Sequence, residues 1–207
     1  WVLHGIFRDV TLVNRPHLHL KDWFLTTRLN GRAAEVSLMS ELSGEGTVGW
    51  RLVAPDGRDV AAADGLTAKL TVADAALWSA ESPTLYRLEI AVKDAKGVVT
   101  ERLAEKVGLR EVTWSGRVFR VNGRPVKLRG VDHHDISPTN GRAITAAEQR
   151  RDIRLMKAAN VNFVRTSHYP PSPAFMDACD ELGIYVMDEV PFGYGDRNLT
   201  NETYAPL

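Results

Sequence analysis

Three short polar blocks hold most of the chemistry-bearing side chains in the second half of the chain. They are Asp132-His133-His134-Asp135, Thr166-Ser167-His168-Tyr169-Pro170 and Asp188-Glu189-Val190-Pro191. Carboxylates and imidazoles can move protons near neutral pH and hydrogen-bond hydroxyl-rich ligands. Arg165 directly precedes the second block. A guanidinium near the end of a buried strand needs a carboxylate partner, which inside a barrel would belong to a site. Neighbouring residues on a strand point to opposite faces. His133 and His134 therefore cannot share one pocket, and the one turned away is expected at the surface. Asp188 and Glu189 likewise cannot form a facing carboxylate pair, and one of them could serve an arginine structurally. His168 has a plainer reading as a loop cap. His4, His17 and His19 read as solvent-facing, with no metal spacing beyond a weak His-x-His. Asn201-Glu202 matches a two-letter catalytic pattern, but no apolar strand precedes it, so it and Tyr204 read as loop. Asn198-Leu199-Thr200 and Asn201-Glu202-Thr203 are glycosylation sequons, relevant only to a secreted eukaryotic protein.

A short apolar run leads into each block: Val126–Val131, Asn162–Thr166 and Ile184–Met187. Helical patterns separate them. Thr145-Ala146-Ala147-Glu148 is a capping box opening a helix to about Asn160, with Ile153, Met156 and Asn160 on one side. Phe175, Ala178, Cys179 and Leu182 keep amphipathic spacing, and Gly183 suits the position just past a helix end. Strands joined by helices make a parallel sheet, either doubly wound or a barrel, and such folds bind ligands at the carboxyl ends of their strands. All three polar blocks would then meet at one mouth. No Gly-rich loop follows any of the strands, which weakens the nucleotide-binding version. A barrel needs about 250 residues. Residues 116–207 supply three strands, which cannot close, so a chain cut at both ends is expected.

Residues 17–113 have a different period. Val36, Leu38 and Leu42 share one parity, as do Val48, Trp50, Leu52 and Ala54, and again Tyr86, Leu88, Ile90 and Val92. Pro55–Arg58 and Lys93–Gly97 supply turns, and Asn122-Gly123 between apolar runs is a strong hairpin signal. Alternation with frequent turns predicts an antiparallel sandwich of immunoglobulin-like architecture. Trp23, Trp50, Trp78 and Trp114 read as its core and corner residues. Gly5–Val13 reads as a further strand, broken by Asn14-Arg15-Pro16.

Composition removes other classes. In 207 residues, 26 basic side chains balance 26 acidic ones, which gives no footing for nucleic-acid binding. No apolar run approaches the roughly 18 residues of a membrane span. A lone cysteine, Cys179, excludes an internal disulfide framework and a cysteine-based zinc site, and leaves the compartment open.

Several motifs in order resemble glycoside hydrolase family 2, the family of β-galactosidases, β-glucuronidases and β-mannosidases. They are Gly5–Val10, Leu77–Tyr86, Val107–Val112, Asn122–Pro125, Arg129–Asp135, Arg165–Pro170 and Asp188-Glu189. The resemblance implies the end of a jelly-roll sugar-binding domain at 1–16, an immunoglobulin-like sandwich at 17–113, and the first three β/α units of a (β/α)8 TIM barrel at 114–207. It places the acid/base and nucleophile glutamates downstream, so no catalytic residue is expected within this chain. Pocket-wall residues carried over are His134, Asp135, Arg165, His168, Asp188 and Glu189. Arg165 resembles the arginine that contacts the nucleophile. His134 and His168 resemble histidines that hydrogen-bond sugar hydroxyls. The implied partner is a β-linked saccharide, with no cofactor and a parent open to homo-oligomerisation. Val190–Gly195 departs from the magnesium-binding continuation of the best-known β-galactosidases, so no metal is expected, and Asp132-His133 replaces their Asn-Arg.

Two readings outside this family stay open at the level of sequence. One is a non-catalytic interaction module. The other is a small α/β enzyme using Asp135 with Asp188 or Glu189.

Overall fold

The computed structural model describes residues 6–190. Their two compact units are residues 9–127 and residues 128–190 with residues 6–8.

The first unit is built of seven strands in two antiparallel sheets. These are β1 (Leu20–Asn30), β2 (Ala33–Leu42), β3 (Thr47–Val53), β4 (Asp59–Asp64), β5 (Thr67–Val72), β6 (Tyr86–Lys93) and β7 (Val99–Val107). One sheet runs β1-β2-β5 and the other β4-β3-β6-β7. The alternating residues face inward as their period requires: Val36, Leu38, Trp50, Leu52, Leu88 and Ile90 are all buried. Buried polar groups of this sandwich find partners. Trp50 Nε1 donates to the Gly65 carbonyl (2.8 Å), and Tyr86 Oη accepts from the Ala76 amide (2.9 Å). Arg15 forks onto Glu101 of β7 (Nε–Oε1 2.8 Å, Nη2–Oε2 2.9 Å), and that carboxylate also accepts the Leu20 amide at the start of β1. Burial pushes the Glu101 carboxyl up, but the Arg15 fork and the Leu20 amide together bring it below its usual value.

A small meander follows: β8 (Val112–Ser115), β9 (Val118–Val121) and β10 (Arg124–Pro125), in the order β10-β9-β8. Asn122 and Gly123 both have positive φ (52° and 73°), the requirement of the tight hairpin turn. The Asn122 side chain donates to the Trp78 carbonyl (3.0 Å) and accepts the Glu111 amide (3.0 Å), which anchors the meander within this unit. Two expectations fail here. Trp114 is 72% exposed, its ring set T-shaped against Phe119 across the β8–β9 ladder, so the core half of its core-or-corner reading fails. The stretch from Ile6 to Val13 is not a strand. It pairs with no other strand among the described residues, and Val10 and Leu12 are exposed.

The second unit alternates strand and helix: β11 (Gly130–His133), α1 (Ala146–Ala158), β12 (Phe163–Thr166), α2 (Pro173–Leu182) and β13 (Tyr185–Met187). The strands are parallel in the order β11-β12-β13, with Asp132 beside Arg165 and Arg165 beside Met187. The capping box forms as predicted: Thr145 Oγ1 accepts the Glu148 amide (3.2 Å), and Glu148 Oε2 accepts the Thr145 amide (2.8 Å). α1 stops slightly earlier than expected, because Asn160 turns to φ 58°. α2 opens on Ser172, whose hydroxyl accepts the Phe175 amide, and closes on Gly183 at φ 77°. Ile153, Val164, Phe175, Ala178, Cys179 and Ile184 form the helix–sheet core.

The first strand lies further along the chain than expected. Val126 remains bonded to Phe119 of the meander, and the Arg129 amide is taken by the Asn162 side chain (2.7 Å). Pairing therefore begins only at Gly130, where an added Cβ would sit 2.1 Å from the Phe163 ring. No helix of the described residues is long and apolar enough to cross a membrane.

Candidate active site

The side-chain alternation of the three strands sorts the polar blocks onto two sides of the sheet. On one side, Arg165 extends between Asp132 and Glu189. Its Nη1 lies 3.3 Å from Asp132 Oδ1, and its Nη2 lies 2.7 Å from Glu189 Oε2. The second contact is an ion pair by distance without an aligned hydrogen bond, since Oε2 is buried and has no directed donor. The other oxygen, Oε1, is 3.0 Å from His168 Nδ1. The His168 ring in turn meets His134 in a T-shaped contact, with centroids 5.3 Å apart.

Thr166, on the opposite parity to Arg165, resolves the Asp188–Glu189 pair. Its Oγ1 donates to Asp188 Oδ1 (3.2 Å) and accepts the Glu189 amide (3.0 Å). That contact draws Asp188 to the Thr166 side, and the pleat turns Glu189 to Arg165. One anionic side chain thus serves two groups that present N–H donors. The Arg165 side chain is 36% exposed and Asp132 65%, so their pairing supplies about 1 kcal/mol at most. The cluster is oriented rather than strongly bound, and it stays open to a ligand.

On the other side lies a buried polar network. Asp135, 5% exposed, accepts from Gln149 Nε2 (3.2 Å) of α1, and Gln149 Oε1 accepts from the Ser172 hydroxyl (2.6 Å) at the cap of α2. His133 is not a surface residue, contrary to expectation. Its ring stacks on Phe175 (5.0 Å, 30°), and Nε2 is 3.3 Å from Asp152. The reason is that the face turned from the mouth is covered by α1 and α2 rather than by water.

Of the six candidate residues, His134, Arg165, His168 and Glu189 come together. Asp135 joins the network under the helices and Asp188 joins Thr166. Asp132 and Tyr169 escaped notice as partners. The Asp132–Arg165 register is a non-local pairing that spacing alone does not fix. Tyr169 connects the blocks, its hydroxyl accepting the Asp135 amide (3.2 Å). His4, Tyr204, both sequons and the Asn201-Glu202 pattern lie outside the described residues. Among the described residues no three His, Cys, Asp or Glu side chains are grouped to hold a metal ion.

A hollow of about 670 Å³ lies on the first unit among Arg51, Asp64, Glu89, Lys93 and Arg102. Lys93 pairs with Asp64 (2.7 Å) and Arg51 with Glu89 and Asp59, so the carboxylates here are engaged in salt bridges rather than set as a nucleophile and a base.

Known proteins resemble the chain throughout. The family profile "Glycosyl hydrolases family 2" matches residues 18–110, and "Glycosyl hydrolases family 2, TIM barrel domain" matches residues 112–203. A β-galactosidase from Enterobacter cloacae is 37% identical over 210 residues, covering 91% of this chain and 20% of that protein. One from Pectobacterium atrosepticum is 37% identical over 212 residues, with the same coverage. The chain thus spans about a fifth of the length of these relatives. Among solved structures, a β-glucuronidase from Ruminococcus gnavus in complex with uronic deoxynojirimycin superposes with a TM-score of 0.81 at 35% identity, over 85% of this chain and 30% of that one. Its complex with D-glucuronic acid matches equally well. The architecture is an immunoglobulin-like sandwich followed by the start of a TIM barrel, and the chain belongs to glycosyl hydrolase family 2.

Proposed function

We propose that this chain forms part of the pocket wall of a retaining exo-β-glycosidase, a β-galactosidase in the first instance. The observation that carries the proposal is the Arg165–Glu189–His168 cluster at the carboxyl ends of β12 and β13. Retaining hydrolysis uses two carboxyl groups about 5–5.5 Å apart, one as acid/base and one as nucleophile. Both are assigned to the part of the protein downstream of this chain. The residues present then have supporting tasks. Arg165, steadied by Asp132 and Glu189, offers a guanidinium that would hold the nucleophile ionised at neutral pH. His168 is held by Glu189 through Nδ1, and its ring is the group proposed to hydrogen-bond a sugar hydroxyl. A hydrogen bond that tightens as the oxocarbenium-like state forms lowers the barrier rather than only improving binding.

A second reading, β-glucuronidase, is favoured by the glucuronidase structures that superpose on this chain. The two are separated by kcat/KM of the full-length protein on nitrophenyl β-galactoside, β-glucuronide and β-mannoside. NMR of the first-formed sugar anomer tests retention, and an inverted product would overturn it.

A further inference from the structure

We infer that Arg8 and Phe7, well before the strand–helix units in sequence, are positioning residues that clamp the loops following β11 and β12 and so fix His134 and His168. The inference rests on the glycosidase reading only for its kinetic consequence. The two loops carry both histidines and are bonded to each other. The Ser167 amide bonds the His133 carbonyl (2.9 Å), and the Asp135 amide bonds Tyr169 Oη (3.2 Å). Arg8 supplies a further tie. Its Nη2 donates to the Pro170 carbonyl (2.7 Å) and lies 3.5 Å from Asp135 Oδ2. One nitrogen thus holds a residue of each loop.

Phe7 completes the clamp. The Arg142 guanidinium, from the segment leading into α1, lies 3.9 Å from the Phe7 ring centroid and 4.7 Å from that of Tyr169. It lies over both aromatic rings, an arrangement that restrains the planar cation and both rings. Tyr169 is the chain neighbour of His168 and lies against His134 (centroids 6.2 Å apart). The Asp135 side chain is only 6% exposed, whereas Arg8 is 40% exposed. A buried carboxylate keeps its charge only with partners. Asp135 has Gln149 Nε2 at 3.2 Å and His133 Nδ1 at 3.8 Å, and Arg8 is the permanent cation beside it.

Two roles can be told apart. If Arg8 only neutralises Asp135, then Asp135→Asn removes the need for it. If Arg8 positions the loops, its bond to Pro170 matters whatever Asp135 carries. The test uses the full-length protein. Hydrogen exchange is followed on peptides covering 166–175 and 134–145, alongside kcat/KM on the preferred nitrophenyl β-glycoside. Arg8→Met, which keeps the aliphatic stem, is expected to speed exchange in those peptides alone and to lower kcat/KM about 10- to 100-fold. Arg8→Lys and added guanidinium should each restore most of the loss. Arg8→Met with Asp135→Asn should recover thermal stability but keep the fast loop exchange. Exchange unchanged in both peptides, or stability and loop protection recovering together in the double variant, would overturn the inference. Should Arg8→Met fail to fold, Phe7→Ala carries the same exchange test. Fast loop exchange in a protein inert on every β-glycoside would leave the clamp standing and remove the glycosidase reading.

Discussion

At the scale of single residues, the pocket side of the sheet is held by contacts that are weak one by one. Arg165 is one-third exposed, its partner Asp132 is largely exposed and Glu189 keeps His168 as a second partner, so Arg165→Ala should lower the melting temperature only modestly. Activity should respond differently. In the full-length protein, loss of a cation beside the nucleophile raises that carboxyl's pKa, so at any given acid pH more of it is protonated. The acid limb of the pH–rate profile should therefore move to higher pH, while His168→Ala should leave the limb in place. His168→Ala should lower kcat/KM by about 2–4 kcal/mol of transition-state stabilisation, the range of a removed transition-state hydrogen bond. Wild-type kcat/KM in folded His168→Ala protein would take that residue out of the site. Cys179 belongs to the opposite case. Burial first, and the neighbouring Asp180 second, push its thiol up to about 12, so it remains the unreactive thiol in native protein. Iodoacetamide at pH 8 should label Cys179 only after unfolding, read by mass spectrometry.

At the scale of elements, sequence signals are legible where the interaction is local. The Thr145–Glu148 box, the Asn122-Gly123 turn and the alternation of β2, β3 and β6 involve residues within a few positions of one another, and each formed as read. Elements that depend on distant partners were misjudged. Ile6 to Val13 has strand composition but no strand to pair with among the described residues, and β11 starts where Phe163 and Asn162 meet it rather than where its apolar run begins. For His133, parity fixes the face it takes and the amphipathic patterns reveal both helices, but that α2 sets Phe175 on its ring is a non-local contact that the sequence does not show. Glu148 gives a pH test of a local element. The Thr145 amide first, and then the Ser137 and Thr145 hydroxyls, hold its carboxyl below its ordinary 4.5. A carboxyl depressed in the folded state stabilises above its unfolded value, and that contribution fades as pH falls through the folded value. The start of α1 should therefore loosen only below about pH 4.5, and Thr145→Ala should cost about 1 kcal/mol at neutral pH, measured by denaturant unfolding. Gly108 gives a packing test. A Cβ there would sit 2.7 Å from the Trp78 side chain, which is 2% exposed, so Gly108→Ala should destabilise the first unit by about 1–3 kcal/mol.

At the scale of the whole molecule, the two units differ in how complete their physics is. The sandwich closes its apolar faces on each other around Trp50, Leu52, Leu88 and Ile90. The strand–helix unit has three parallel strands covered on one side by α1 and α2, while the side bearing Arg165 holds charges and the exposed Met187. A TIM barrel buries that inner side by closing eight strands, and it gathers catalytic groups from the ends of several of them. Arg165, His168 and Glu189 come from β12 and the loops after β12 and β13, and Glu189 already contacts the other two. A carboxylate so engaged is poorly suited to attack an anomeric carbon, and Asp188 is turned to Thr166. On the proposed reading the described residues position and bind, and the bond-breaking pair lies outside them. The 207-residue chain by itself should release no nitrophenol from β-galactoside, β-glucuronide or β-mannoside above the buffer rate, while full-length protein turns over at least one of them. Adding Glu189→Gln to the isolated chain should change nothing in that assay. Turnover by the isolated chain that Glu189→Gln or Asp135→Asn abolishes would mean that the three-stranded unit is a small enzyme in its own right, and the assignment of the catalytic pair to the downstream protein would fall.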